Sequence, residues 1–236
     1  SEVMLQQTQV TRVIPAYEAF LERFPTAAVL ADAPLDEVLA TWQGLGYPVR
    51  ARRLRETARI VTEHGWPETS AGLTDLPGIG PYTAAAVASF AFGEQIAAVD
   101  TNVRRVVSRW QGEPLGGAAV SEAASDEMTG GAGIWNQAVM ELGALVCRPV
   151  PTCDTCPVAD DCADPSIYVR PPRQGRYEGS NRQMRGDLLR ILDAGPVALD
   201  GLVARIGDPS RARVAIESLE RDVLVSIVDD IVSIGG

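Results

Sequence analysis

Along the first 165 residues the apolar positions recur at helical spacing. Val10, Val13, Ile14, Tyr17, Phe20 and Leu21 form a stripe that stops at Pro25, which predicts a helix ending there. Val38, Leu39 and Trp42 make the next apolar face, bounded by Ala33-Pro34 and by Gly44-Leu45-Gly46. Leu54, Ala58, Ile60 and Val61 follow, with arginines on the opposite face. Leu73 and Leu76 lead into Pro77-Gly78-Ile79-Gly80-Pro81, after which Ala84 to Phe92 reads as a closely packed helix of small residues. Val103, Val106, Val107 and Trp110 predict a further helix, and so do Trp135, Val139, Met140, Leu142, Leu145 and Val146. Residues 111–133 are glycine-rich with little periodicity and read as a broken loop.

The pattern changes after Pro171-Pro172-Arg173-Gln174-Gly175, which reads as a linker. Leu188, Leu189, Ile191 and Leu192 suggest one helix. Leu199, Leu202, Val203 and Ile206 suggest a second, and Val214, Ile216, Leu219 and Val223 a third. Two alternating runs, Leu224 to Val228 and Ile231 to Ile234, flank Asp229-Asp230 as a β-hairpin. Three helices and a hairpin in so short a tail predict a winged helix, which either touches DNA or packs against the main body.

At 236 residues the chain can hold one large domain or two to three small ones. Its net charge of −10 argues against a nucleic-acid partner only if that charge is evenly spread. It is not. Residues 45–109 carry eight Arg against six acids, and Arg170, Arg173, Arg176, Arg182 and Arg185 form a second basic stretch. Arginine stripes on an acidic protein can mark a phosphate-contacting face, or can simply solvate helices. All 21 basic residues are Arg, so no lysine amine is available to form a Schiff base. The lone His64, in Thr62-Glu63-His64-Gly65-Trp66-Pro67, reads as a helix C-terminal cap rather than a base.

The only four cysteines, Cys147, Cys153, Cys156 and Cys162, fall in a C-x5-C-x2-C-x5-C cluster. No signal peptide and no apolar run of membrane-spanning length is present, and a chain this long does not need disulfide staples. The expectation is therefore a reducing, cytoplasmic setting and a metal rather than two disulfides. Tetrahedral zinc and an iron–sulfur cubane are both open on spacing alone.

Gly78-x-Gly80 between two helices lets the backbone turn sharply, and the following helix then offers its N-terminal amides to a phosphate. Taken alone this is weak, since many helical hairpins use glycine. Asp100, in Val99-Asp100-Thr101-Asn102-Val103, sits just before a helix, where an N-cap is its ordinary role.

Taken together, the hairpin, the downstream Asp and the four cysteines resemble the helix-hairpin-helix DNA glycosylases. Ser1 to Val10, Gly44 to Tyr47 with Arg50-Ala51-Arg52, and Glu141 to Cys147 look like the MutY-type adenine branch, and the resemblance covers residues 1 to about 165. It implies a mainly α fold: a six-helix barrel domain carrying the hairpin (1–108), a helical 4Fe-4S cluster domain (109–170), and a linker with a small winged-helix-like C-terminal domain (171–236). It implies a monofunctional enzyme of base excision repair that flips adenine mispaired with 8-oxoguanine or guanine out of duplex DNA. Glu2 matches the general acid that protonates the adenine ring, a role that calls for a buried apolar setting. Asp100 matches the carboxylate that stabilises positive charge on the sugar, and Asn102 the residue that orients it. Tyr82 stands where strand-cleaving relatives carry a lysine.

For the rest of the DNA face, Gln7 and Tyr47 match residues that wedge into the duplex, core packing being the alternative for Tyr47. Gly78, Gly80 and Thr83 belong to the DNA-binding hairpin. The cysteines match 4Fe-4S ligands, with zinc as the alternative. The expected partner is double-stranded DNA with a mispaired adenine, bound by a monomer at the bacterial nucleoid, with no membrane involved. Relatives have some thirty residues upstream of the position of Ser1, six rather than five residues in the first cysteine interval, and often a Nudix-like domain that the tail is too short to form. A thymine- or uracil-mismatch glycosylase of the same superfamily, or a lesion-binding protein without activity, are the competing readings.

Overall fold

The computed structural model describes residues 1–168 and 175–235. Apart from Gly175, the linker expected at 171–175 lies outside the described residues, and so does Arg170. In chain order the helices are α1 (Glu2–Leu5), α2 (Val10–Arg23), α3 (Ala27–Asp32), α4 (Leu35–Thr41), α5 (Val49–His64), α6 (Ser70–Thr74), α7 (Pro81–Ala91), α8 (Thr101–Gln111), α9 (Ala118–Asp126) and α10 (Ala132–Leu145). A 3₁₀ turn at Cys153–Thr155 follows. The tail holds α11 (Asn181–Leu192), β1 (Val197–Ala198), α12 (Leu199–Ile206), α13 (Pro209–Arg221), β2 (Val225–Val228) and β3 (Ile231–Ile234). The chain groups into two compact units, Val3–Gly65 with Gln174–Gly236, and Trp66–Arg173 with Glu2. This grouping cuts across the sequence segments 1–108, 109–170 and 171–236, because the tail shares a core with residues 3–65.

In the first unit the shared core runs from Val13, Phe20 and Trp42 to Leu188, Leu202, Ile216, Leu219 and Val232. Phe20 sits edge-on to Trp42 at 6.0 Å and tilted against Phe24 at 4.9 Å, arrangements that aromatic quadrupoles favour. The stripe read on α2 is only partly buried. Val13 and Phe20 point inward, whereas Val10, Ile14, Tyr17 and Leu21 are exposed. The tail forms the predicted three helices and hairpin, with Asp229 and Asp230 at φ 50° and 60°, the left-handed pair a two-residue hairpin turn requires. The two-residue β1, too short to announce itself by alternation, completes an antiparallel sheet of order β1-β3-β2. The result is a winged-helix-like arrangement, closed by Arg185, which bonds Asp222 at 2.5 Å.

Arg50 organises the other end of this unit. It is 8% exposed and is paired with no carboxylate among the described residues. It donates instead to the carbonyls of Val3 (2.7 Å), Met4 (3.1 Å), Gln6 (2.7 Å), Leu45 (2.8 Å) and Gly46 (3.0 Å), and to Thr8 Oγ1 (3.1 Å). Its guanidinium also lies over the rings of Trp42 and Tyr47, at 5.3 and 5.6 Å. Burial pulls the Arg50 pKa down from its ordinary value, so the cluster of carbonyl dipoles is what keeps the charge acceptable.

In the second unit α8 is the central helix, with Val103, Val106 and Val107 fully buried against Val120, Trp135 and Val139. The stretch 111–133, read as a broken loop, contains α9. Its buried residues are only Val120 and Ala124, one helical turn apart, too sparse an apolar pair to show as periodicity. The small residues of α7 (Ala84, Ala85, Ala86 and Ala88) are all buried, as their size predicts for close helix packing. His64 is the last residue of α5, with Gly65 at φ 81° as its cap, as expected.

Replacing Arg50 by Met strands five carbonyls, and we expect the unfolding free energy to fall by about 3 kcal/mol. Urea titration measures it. Exposed Arg53→Met should stay within about 0.5 kcal/mol, and equal losses for both would contradict the assignment.

Candidate active site and cysteine cavity

The second unit brings Glu2, Tyr82, Asp100 and Asn102 together. The hairpin positions Tyr82: Gly78 takes φ 79°, Gly80 is the N-cap of α7, and Pro81 opens the helix with the fixed φ that suits its first position. Asp100 is held as the N-cap of α8. Its Oδ1 accepts from the backbone N–H groups of Asn102 at 2.8 Å and Val103 at 2.7 Å, and its Oδ2 accepts from Asn102 Nδ2 at 2.9 Å. The ordinary capping role and the expected functional role therefore coincide in one carboxylate. The strap leading to it is fixed by the fully buried Asn136 of α10, which accepts from Ala98 N–H at 2.9 Å and donates to Ile96 O and Ser89 Oγ, each at 3.0 Å.

Tyr82 lies between the two carboxylates. Burial pushes its phenol well up from the ordinary value, the charges of Glu2 and Asp100 add to this, and the phenol's hydrogen bond with Glu2 adds further. The phenol therefore stays protonated and donates to the Glu2 side chain. Glu2 itself is half-buried, not enclosed in an apolar pocket.

From Asp100 a chain of hydrogen bonds leads to the cysteines. Asn102 Oδ1 accepts from Arg105 Nη2 at 2.9 Å, and the same guanidinium donates to Gly143 O at 2.6 Å and Cys147 O at 2.7 Å. Gly143 is where α10 meets Asn102. A Cβ there would lie 2.6 Å from Asn102 Cβ and 3.2 Å from its Cα, so only glycine admits this approach. One turn further along α8, Arg109 is 1% exposed. It donates to Arg148 O at 2.8 Å, Pro149 O at 3.1 Å, Ile167 O at 2.9 Å and Cys147 Sγ at 3.1 Å.

All four cysteines are free thiols lining one cavity of about 150 Å³, walled by Trp110, Leu142 and Val146. The five-residue first interval is closed by Thr152 N–H, which bonds Val146 O at 3.1 Å, and by Arg109, which holds the carbonyls of Arg148 and Pro149. Burial pushes the Cys162 thiol up, and the neighbouring Cys147, Cys153 and Cys156 add to it. Among the described residues no three His, Cys, Asp or Glu side chains converge closely enough for a single metal ion.

The expected DNA-contacting residues divide. Gln7 and Tyr47 belong to the first unit and take φ 57° and 48°, a backbone conformation that non-glycine residues seldom adopt. Gly80 is exposed at the hairpin tip, with open space where a Cβ would point. The Thr83 side chain is buried. It is 2% exposed, on the inward side of α7 alongside Ala84, because position and helical period turn it to the core.

These features carry a family. A model described as HhH-GPD superfamily base excision DNA repair protein matches residues 1–122. An adenine DNA glycosylase of Mycolicibacterium smegmatis is 40% identical over 250 residues, covering 98% of this chain and 84% of that protein. The chain belongs to the adenine DNA glycosylases of the HhH-GPD superfamily. The human adenine DNA glycosylase is 46% identical over 176 residues, 69% of this chain and 32% of that protein. The Mycolicibacterium match therefore takes in the tail. Among solved structures, a thermostable thymine-DNA glycosylase aligns with TM-score 0.64 at 31% identity over 69% of this chain and 80% of its own. A non-covalent endonuclease III–DNA complex aligns with TM-score 0.61 at 24% identity over the same shares, 69% and 80%, a likeness of fold.

Sequence reasoning missed Arg105 and Arg109 as parts of the site, counting them with the stripe of a DNA face. Arg105 and Arg109 sit four apart on α8, one turn from each other, but nothing local in the sequence marks them off from arginines that stay in water.

Gly143→Ala should press into Asn102 and cost about 1–3 kcal/mol in urea unfolding. Arg105→Met should lower single-turnover base release at least about tenfold while DNA affinity changes less than threefold, because the geometry of Asp100 is lost rather than a DNA contact. A variant with unimpaired base release would remove the relay from the site.

Proposed function

We propose that the protein is a monofunctional DNA glycosylase that removes adenine mispaired with 8-oxoguanine or guanine during base excision repair. The observation that carries this reading is the pair of carboxylates, Glu2 and Asp100, meeting at Tyr82 in a chain without lysine. Adenine must leave the stack to be reached, because its glycosidic bond is shielded inside the duplex. Glu2 then gives a proton to a ring nitrogen of the flipped base. The bond from the sugar carbon to the base breaks, and its electron pair leaves with the protonated adenine.

Asp100 faces the positive charge left on the sugar and stabilises it until water adds, the division of labour used by paired carboxylates in glycoside hydrolysis. Its three hydrogen bonds from Asn102 and Val103 fix the direction of that carboxylate and cost no reorganisation during reaction. Tyr82, protonated throughout, orients the Glu2 carboxyl. It has no amine with which to attack the sugar, so the strand is left uncut. Gln7 and Tyr47 act as wedges that fill the place of the flipped nucleotide.

Cys147, Cys153, Cys156 and Cys162 hold a 4Fe-4S cluster in this reading. Such a cluster would supply four iron–sulfur bonds that organise the loop from Arg148 to Ala163. The soft thiolate donor set suits an iron–sulfur cluster and tetrahedral zinc alike, and the chain's likeness to the adenine DNA glycosylases is what favours the cluster. The Arg109 N–H aimed at Cys147 Sγ suits a sulfur carrying negative charge.

Single-turnover assays on duplexes with A opposite 8-oxoguanine, A opposite G, T opposite G and U opposite G decide the substrate. Base loss is expected only from the first two, and loss only from the last two would sink the adenine reading in favour of a thymine or uracil enzyme. Glu2→Gln and Asp100→Asn should each lower release by roughly 10²–10⁴-fold, with DNA still bound. Tight binding with no base loss from the unmodified chain would leave a lesion-binding protein. For the cysteines, the expected preparation is brown, with iron and acid-labile sulfide in equal amounts; a colourless protein containing zinc would contradict the cluster.

A further inference from the structure

A groove of about 750 Å³ in the first unit plays no part in adenine chemistry. Gln7, Gln43, Gly46 and Tyr47 wall one side, and Arg182 and Arg190 of α11 the other. Arg182 donates to the Tyr47 hydroxyl at 2.7 Å and lies 5.6 Å from its ring, while its other nitrogen reaches Gly175 O at 2.7 Å. No carboxylate neutralises it among the described residues. Arg12, also on the groove, is exposed, and its guanidinium makes no hydrogen bond or ion pair with the described residues.

A second hollow of about 490 Å³ begins at Arg190 and continues over Ser180, Gln183, Arg205 and Arg211. Arg205 is exposed and, among the described residues, has no partner either. Arg190 and Arg211 are neutralised by Asp187 at 2.8 Å and Asp208 at 3.9 Å. The two hollows meet at Arg190, so uncommitted guanidiniums continue from the Tyr47 loop across the winged-helix-like tail.

The charge distribution makes this track more telling. Of the eight arginines in 45–109, Arg50, Arg105 and Arg109 are buried and spent on internal carbonyls. Arg52, Arg59 and Arg104 are bonded to Glu56, Ala31 O and Leu115 O, so little of that stretch's positive charge is uncommitted on a chain of net charge −10. A guanidinium with unspent donors on a concave surface matches phosphate oxygens in a bidentate way.

We propose that the C-terminal winged-helix-like segment is part of the DNA interface, with Arg12, Arg182 and Arg205 taking phosphates of the duplex arm that runs outward from the Tyr47 wedge. This rests on the reading of the protein as a DNA glycosylase with Tyr47 in the duplex. The tail thereby extends the contact along one arm, and Arg182 joins it to the wedge through the Tyr47 hydroxyl.

The test uses the full chain and a fluorescein-labelled duplex carrying a tetrahydrofuran abasic mimic opposite guanine, titrated by anisotropy over a range of salt. The double variant Arg182→Gln/Arg205→Gln should bind roughly tenfold more weakly at low salt. The slope of log affinity against log salt should fall by roughly one for each guanidinium removed. Arg213→Gln, whose guanidinium is paired with Asp200 at 3.2 Å, should match the unmodified chain. Should Arg182→Gln disturb the Tyr47 loop, Arg205→Gln alone still reads the tail, because Arg205 holds nothing else in place. A folded double variant with unchanged affinity and slope overturns the proposal. If the variants show these binding differences yet the unmodified chain releases no adenine, the catalytic reading fails and the tail contact stands.

Discussion

A buried guanidinium must find acceptors for its N–H groups, and in this chain that requirement orders the segments around the site; at Arg50 both terminal nitrogens are satisfied and Nε alone is left without an acceptor. Taking such an ion out of water costs several kcal/mol, and each charge-assisted hydrogen bond returns roughly 1.5–3 kcal/mol. The balance closes only if many carbonyls converge on the charge. Around Arg50 they come from the first eight residues and from the Leu45-Gly46 turn, and around Arg105 and Arg109 from α10 and the cysteine loop. Apart from α10, which Trp135 and Val139 also pack into the core, none of these segments is long or apolar enough to order itself by burial. Each is instead ordered by the acceptors it supplies.

The same economy is visible between the carboxylates. Asp100 closes the first turn of α8 and faces the site with the same side chain, so the direction of the carboxylate is set by helix geometry. Asn102 couples that geometry to Arg105, and Arg105 to the carbonyl of the first cysteine. The cysteine cavity thus bears mechanically on a carboxylate several bonds away without taking part in its chemistry. Gly143 sets the spacing, since the backbone of α10 rests directly on Asn102.

Much of this fold was legible in the amino-acid pattern because strong periodicity and punctuation coincide. Pro25 and Gly65 close helices, Gly78 and Gly80 make the hairpin, and Asp229-Asp230 turns the strands of the tail. The pieces that were not legible share a physical reason. Helix α9 is held by two small buried residues, and β1 by two backbone pairings to β3, neither of which leaves a rhythm in sequence. Likewise, nothing local separates Arg105, buried among valines, from the exposed Arg53. The sequence also could not show that the tail shares a core with residues 3–65, since that depends on contacts between segments far apart in the chain. In the candidate site, the residue types were recognisable from motifs, but Thr83 shows the limit. Motif membership fixes a residue's address, while the helical period decides which way its side chain points.

Gln7 and Tyr47 hang, through short stretches of backbone, from one guanidinium. The carbonyl beside Gln7 and the carbonyl beside Tyr47 are both bonded to Arg50, and both residues occupy left-handed backbone conformations that would relax if released. Neither segment can therefore open without withdrawing acceptors from the charge that holds the other. The two loops form one cooperative opening unit, whose amides should exchange with solvent at a common free energy although some forty positions separate them in the chain.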